Sequence, residues 1–187
     1  SDPAAVEALT DRLSDEWLMA RKNAVIALGQ IGASNSEVSQ ALIERLGDEE
    51  SRVRKAAAKA LGEIGTSDPA IVEALTDRLD DEDPQVRSSA AEALGQIGAS
   101  GSEVIGVLTD RLGDEDSDVR EAAAEALGQI GASETEVTEA LIDQLDDEDR
   151  SARLAAAEAL GEIRPSDPAV AHALLDSLRD EDLDVRE

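Results

Sequence analysis

Apolar side chains recur along this chain at two interleaved spacings. Ile71, Ala74, Leu75 and Leu79 fall at offsets of zero, three, four and eight, which places them on one face of a helix. Leu75 and Leu79 have counterparts at Leu9 and Leu13, Leu42 and Leu46, Leu108 and Leu112, Leu141 and Leu145, and Leu174 and Leu178. After a short acidic turn a second stripe follows, Val86, Ala90, Ala91, Ala93, Leu94 and Ile97, predicting a second helix from about Pro84 to Ile97 with one broad buried face. Its end repeats as well: Ala27-Leu28-Gly29-Gln30-Ile31-Gly32 returns at 60–65, 93–98, 126–131 and, with Arg164 for the last glycine, 159–164. A period of 33 residues without insertions is one supersecondary unit stacked on itself. The predicted fold is all-α, a right-handed α-solenoid of antiparallel helix pairs. Five full repeats, at about 1–33, 34–66, 67–99, 100–132 and 133–165, precede a truncated sixth at 166–187. Because such an array shares one continuous core, 1–187 is expected to be a single domain.

Punctuation agrees with this division. Three units open with Ser-Asp-Pro (Ser1-Asp2-Pro3, Ser67-Asp68-Pro69, Ser166-Asp167-Pro168), where aspartate caps and proline occupies a first turn that needs no N–H. In the other three, Ser34 and Glu37, Ser100 and Glu103, and Ser133 and Glu136 have the spacing of a capping box. A glycine recurs inside the second helix (Gly29, Gly62, Gly95, Gly128, Gly161), where close approach of a neighbouring helix explains it. Gly98 and its equivalents predict a left-handed stop, replaced in the fifth unit by Arg164-Pro165.

Composition sharpens the picture. Hydrophobic residues make up 41% of the chain, yet there is one Trp and neither Phe nor Tyr, so the core must be built from Leu, Ile, Val and Ala on closely approaching helices. The formal charge is −27, from 44 acids against 17 bases. That field makes nucleic acid and anionic membranes poor partners for the molecule as a whole. Only Lys22, Lys55 and Lys59 are lysines, and an acidic, lysine-poor, Asp-rich surface resembles proteins of salt-loving microbes. The rival origin is an engineered consensus array, against which the dissimilar repeat surfaces argue. The absence of cysteine removes disulfides, thiolate catalysis and thiolate metal sites. With no apolar run of about 18 residues and no signal peptide, a cytoplasmic protein is expected. The chain starts with a unit under way and stops early in a new helix, as a piece of a longer array would.

Two helices per unit, an aspartate in the intervening turn and Val-Arg early in the second helix resemble HEAT repeats, in particular the short HEAT-like units named after phycobilisome lyases. The characteristic Asp and the Arg six residues later are present in all six units: Asp15 and Arg21, Asp48 and Arg54, Asp81 and Arg87, Asp114 and Arg120, Asp147 and Arg153, Asp180 and Arg186. The resemblance implies a ladder of charge-assisted bonds between successive turns and helices, a structural role. Ankyrin and tetratricopeptide units have a similar period, but their signature residues are missing here.

No constellation for catalysis emerges. Acidic turns such as Asp80-Asp81-Glu82-Asp83 and 114–118 lack the glycine and terminal glutamate of an EF-hand, and carboxylates ahead of a helix suit its dipole. His172 is the single histidine, in a column otherwise holding Glu7, Gln40, Glu73, Gly106 and Glu139, and is expected to be exposed. HEAT-like iron hydroxylases share the fold but need several His-Glu pairs. Lyase activity has no residue to carry it over. No metal or other cofactor is predicted.

In HEAT-like arrays the second helices line the concave face, and their outward columns here are those of Pro84, Gln85, Ser88, Ser89, Glu92 and Gln96. Across the first two repeats these columns hold the bases Lys22, Arg52, Lys55 and Lys59, the apolar Leu18, Met19 and Ile26, and one acid, Glu63. In repeats three to five they hold Glu92, Asp118, Glu121, Glu125, Glu158 and Glu162 against Arg150. A basic and apolar patch on an acidic body is what recognition of an acidic partner segment requires, with Trp17 as an anchor at its edge. The competing readings are that Trp17, Leu18, Met19 and Ile26 cover an end of the array or form a homodimer contact. The function predicted is a non-catalytic scaffold, monomeric, binding a protein or peptide on its concave face. The alternative is a structural or engineered array without a dedicated ligand.

Overall fold

Pro3, Pro69 and Pro168 each open a helix, and the aspartate in front of each caps it. Asp2 accepts from the Ala4 N–H at 3.1 Å, Asp68 from Ala70 at 2.9 Å and Asp167 from Ala169 at 2.8 Å. The computed structural model describes residues 2–31, 36–163 and 167–177, and among these all regular structure is helical. The chain divides into two units, Ser1–Ile97 and Gly98–Glu187.

The first unit contains α1 (Pro3–Arg12), α2 (Leu18–Ile31), α3 (Ser36–Arg45), α4 (Ser51–Ile64), α5 (Pro69–Asp77, continued by a 3-10 turn at Arg78–Asp80) and α6 (Pro84–Ile97). The long helices α2, α4 and α6 pack side by side with α4 in the middle, and α1, α3 and α5 each cover one of them. The second unit contains α7 (Ser102–Arg111), α8 (Ser117–Ile130), α9 (Thr135–Gln144), α10 (Arg150–Ile163) and α11 (Pro168–Ser177). There α8 and α10 lie side by side, covered by α7 and α9 respectively.

The recurring leucines form the seams between short and long helices. Leu42, Leu75, Leu108 and Leu141 are fully buried, and their partners Leu46, Leu79, Leu112 and Leu145 are buried too. Leu13 is buried while Leu9 and Leu174 are half-buried, and Leu178 lies outside the described residues. Removing one of the fully buried side chains costs about 2–5 kcal/mol.

Gly29, Gly62 and Gly128 set the distance between long helices, whereas a Cβ on Gly161 would meet nothing within 4 Å among the described residues, so close approach does not explain the glycine of the fifth repeat. A Cβ on Gly29 would stand 2.8 Å from the Ala60 Cβ, one on Gly62 3.0 Å from the Ala93 Cα, and one on Gly128 3.0 Å from the Ala159 Cα. Glycine costs about 1 kcal/mol of helix propensity relative to alanine, a cost offset by backbone contact that no side chain permits. The stops form as expected, with Gly65, Gly98 and Gly131 at φ of 67°, 68° and 71°. Gly32 and the Arg164-Pro165 terminator lie outside the described residues.

Two sequence expectations are corrected. The capping boxes at Ser100 and Ser133 do not start helices: α7 begins behind Gly101 and α9 behind Glu134, with no side-chain cap bond from either. These units keep the frame of the proline units, so Glu103 and Glu136 take the second helical position, one short of where a reciprocal box places them. Their carboxylates still oppose the helix dipole. Ser34 lies outside the described residues. The second correction concerns Ser88 and Ser89, assigned to the outward face but only 9% and 1% exposed. Ala56 and Ala155 in the column of Ser89 are buried as well, because that position faces a neighbouring long helix and needs a small side chain, whereas the column of Ser88 holds Lys22 and Lys55 in the first two repeats.

Candidate partner-binding surface

In the turns of Arg21, Arg54 and Arg120 the Asp and Arg do not pair with each other through the carboxylate. Arg21 Nη1 donates to the Asp15 carbonyl at 3.0 Å, Arg54 Nη1 to that of Asp48 at 3.1 Å, and Arg120 Nη1 to that of Asp114 at 3.0 Å. The carboxylate comes from the following turn. Arg21 Nε and Nη2 both reach Asp48 at 2.9 Å, Arg54 reaches Asp81 at 2.8 and 2.7 Å, and Arg120 reaches Asp147 at 2.7 and 2.8 Å. One aspartate therefore serves two arginines: Asp48 gives its carboxylate to Arg21 and its carbonyl to Arg54. Burial alone would raise Asp48 and Asp147, but hydrogen bonds from Arg21 or Arg120, and from the Glu50 or Asp149 N–H, hold both below the usual carboxylate range. The ladder is buried and mutually satisfied, so it holds turns together and offers nothing to a ligand. Asp180 and Arg186 lie outside the described residues.

A different set of bases faces outward. Between α2 and α4 in the first unit is a groove of about 370 Å³ whose floor is Ala56 and Ala60. Lys22 and Ile26 line it from α2, and Arg52, Lys55 and Lys59 from α4, with Glu63 and Gln85 at its margins. Lys59 Nζ pairs with Glu92 at 3.4 Å. Lys55 Nζ donates at 2.9 Å to the neutral Gln85 side chain. Lys22 and Arg52 have no hydrogen bond or ion pair among the described residues, the two Lys or Arg side chains there of which this is true. The structure thus brings five sequence-predicted residues, Lys22, Ile26, Arg52, Lys55 and Lys59, into one concavity.

The other three stand apart from the groove lining. Trp17 is 76% exposed and Met19 53% exposed, and Leu18 is half-buried at the start of α2. Met19 shares the column of Arg52 and Gln85, one helix earlier, so it extends the same face.

The second unit has an equivalent groove between α8 and α10, of about 180 Å³, with the opposite charge. Glu125, Glu158 and Glu162 line it over a floor that includes Ala155 and Ala159. His172 is exposed on α11. Among the described residues no group of three or more His, Cys, Asp or Glu side chains could hold a metal ion, and no helix is long and apolar enough to cross a membrane.

The family model described as HEAT repeats matches residues 72–136 and 107–187, and a second, HEAT repeat, matches residues 38–67. The chain belongs to the HEAT repeat family. No curated protein matches this HEAT repeat chain. Among solved structures it is similar to the complex of CpcE and CpcF of phycocyanin lyase from Nostoc sp. PCC7120, at 26% identity and a TM-score of 0.76 over 97% of this chain and 73% of that one. An engineered protein matches at 26% identity and a TM-score of 0.68, over 97% and 92% of the two chains. A designed armadillo repeat protein in complex with the peptide (KR)4 shares the fold, at 20% identity and a TM-score of 0.69 over 97% and 95%.

The HEAT repeat frame also contains a second set of rungs that the Asp and Arg spacing does not reveal. Arg45 Nη1 donates to the Leu13 carbonyl at 3.0 Å and Arg78 Nη1 to the Leu46 carbonyl at 3.2 Å. The signal is present in the sequence, since Arg12, Arg45, Arg78 and Arg111 each stand immediately before the second recurring leucine. In the fifth HEAT repeat Gln144 takes that column and donates to Asp147 of its own turn.

Proposed function

We propose that this HEAT repeat chain is a non-catalytic scaffold that binds a protein or peptide partner on the concave face formed by its long helices, chiefly through the groove between α2 and α4. The observation that carries this reading is the pair of unpartnered cations, Lys22 and Arg52, in a chain with 44 acids and 17 bases. Where carboxylates are in such excess, a folded chain readily neutralises its exposed bases, as it does Lys59 with Glu92. Bases left free beside the exposed Ile26 are available to a partner. The designed relatives in fold, one of them in complex with a peptide, support a scaffold role.

The uninterrupted period across Ile97 and Gly98 supports a single domain over 1–187, and one cooperative unfolding transition is expected.

Affinity capture from a lysate in molar KCl tests the binding role, using the parent beside a variant with Met19→Glu, Ile26→Glu and Lys55→Glu. These side chains are exposed or half-buried, and circular dichroism confirms that the variant folds. A partner held by the parent and lost by the variant supports the scaffold and its site. A partner held by both moves the site elsewhere. No partner for either favours the structural array, the reading that exposed Trp17 and Met19 beyond the groove also suit as covers for an end of the array.

A further inference from the structure

The groove between α2 and α4 is polarised along the helix axes, and this says more about its occupant than net charge does. Lys22 and Lys55 share one level along the helices, and Arg52 stands about one turn before them; Lys22 and Arg52 are unpartnered and Lys55 is bonded to an uncharged amide. About one helical turn further along, roughly 5.4 Å, lie Ile26 and Ala60 with Lys59 already neutralised by Glu92. The first level offers charge-assisted hydrogen bonds, and a carboxylate would outcompete the Gln85 amide for Lys55. The second level offers apolar surface at Ile26, 37% exposed, with the buried Ala60 beneath it.

We propose that this groove takes a short acidic peptide segment carrying one large apolar side chain two positions from a carboxylate, the apolar group on Ile26 and Ala60 and the carboxylate against Lys22, Arg52 and Lys55. The proposal rests on the scaffold reading and names its partner's chemistry. In an extended peptide, residues two apart point to the same side about 6.6 Å from each other, close to the one-turn separation of the two levels. The apolar group is required by the charge of the host. A chain of net charge −27 repels any acidic ligand over a Debye length, whereas the groove cations attract only at close range. Apolar contact is indifferent to that field and strengthens in salting-out conditions, so it holds the segment where ion pairs alone would not. A polyanion such as nucleic acid suffers the repulsion along its length and brings no aliphatic group to the alanine floor.

Fluorescence polarisation with synthetic peptides tests this on the full chain. The probe is a fluorescein-labelled peptide with glutamates leading to a leucine two positions beyond the last of them. Companion peptides replace the leucine by serine or the glutamates by lysine. The glutamate–leucine peptide should bind at least about tenfold more tightly than either companion. Its affinity should fall by about tenfold or more with Arg52→Glu, with Lys55→Glu and, separately, with Ile26→Ser. Equal binding of the leucine and serine peptides, preference for the lysine peptide, or indifference to all three variants overturns the proposal. If a lysate partner is lost from the triple variant but the glutamate–leucine peptide does not bind, the scaffold reading stands and this partner chemistry is wrong. If no lysate partner is held and the peptide does not bind, both fall.

Discussion

Arg54 and Asp81, 27 residues apart, are joined by two parallel hydrogen bonds of 2.8 and 2.7 Å. The fork crosses from one repeat to the next, and the same arginine returns to the turn of its own repeat through the Asp48 carbonyl. Both side chains are almost wholly buried, at 8% and 4% exposure. Breaking such a pair by removing one partner leaves a buried charge uncompensated, so Asp81→Ala should cost about 3–5 kcal/mol. Arg54→Lys should also be costly, because an ammonium cannot form the fork and reach the carbonyl together. Urea denaturation of the full chain checks both, and a loss below about 0.5 kcal/mol would show the ladder to be ornamental.

The ladder predicts a pH dependence of definite sign. Asp48 and Asp147 titrate below their unfolded value of about 3.9. Between the folded and unfolded values the unfolded chain binds more protons, so this contribution rises with pH there. It is complete above the unfolded value and lost as pH falls through the folded one. Denaturation of the parent and of Asp147→Asn across pH 7 to 2 should therefore show a stability gap that is widest at neutral pH and closes below about pH 4. A gap that stays constant would contradict the assignment.

Two glycine substitutions should have opposite effects. Gly62→Ala gains helix propensity but drives its Cβ to 3.0 Å from the Ala93 Cα, and a net loss of about 1–3 kcal/mol is expected. A Cβ at Gly106, inside α7, would meet nothing within 4 Å, and Gly106→Ala should stabilise by about 0.4–1 kcal/mol. Thermal melts of the two variants would give shifts of opposite sign, and shifts of equal sign would refute the close-approach account.

Self-repulsion at a net charge of −27 should make stability depend on salt. The melting temperature is expected to rise substantially from dilute buffer to molar KCl as the Debye length contracts from about 30 Å to about 3 Å. Equal melting temperatures would remove the argument for adaptation to high salt. The buried forks are screened least, so Asp81→Ala should cost a similar amount in both buffers.

The free groove cations should matter little to folding. Lys22→Ala and Arg52→Ala remove no bond, and each should change stability by less than about 0.5 kcal/mol. A larger loss in chemical denaturation would reveal a structural role and weaken the case for a ligand.

What is legible in this chain is everything local and periodic. The helix from Pro84 to Ile97, the proline-and-aspartate starts and the left-handed Gly65, Gly98 and Gly131 all follow from interactions within a few residues. The columns of the long helices are readable too, because a fixed period places equivalent residues at equivalent positions; that is how Lys22, Arg52, Lys55 and Lys59 fall on one face. Ser89 is misplaced by the same reasoning because polarity in a sequence does not distinguish a solvent face from a tight helix contact that only small side chains fit. Spacing and composition alone establish the repeat, its two helices and the charge of its surfaces. That Arg21 reaches Asp48 rather than the Asp15 carboxylate, and that Lys22 and Arg52 remain free while Lys59 does not, follows from how the helices pack. Pairing depends on distances between chain segments about 30 residues apart, and those distances exist only once the helices have packed.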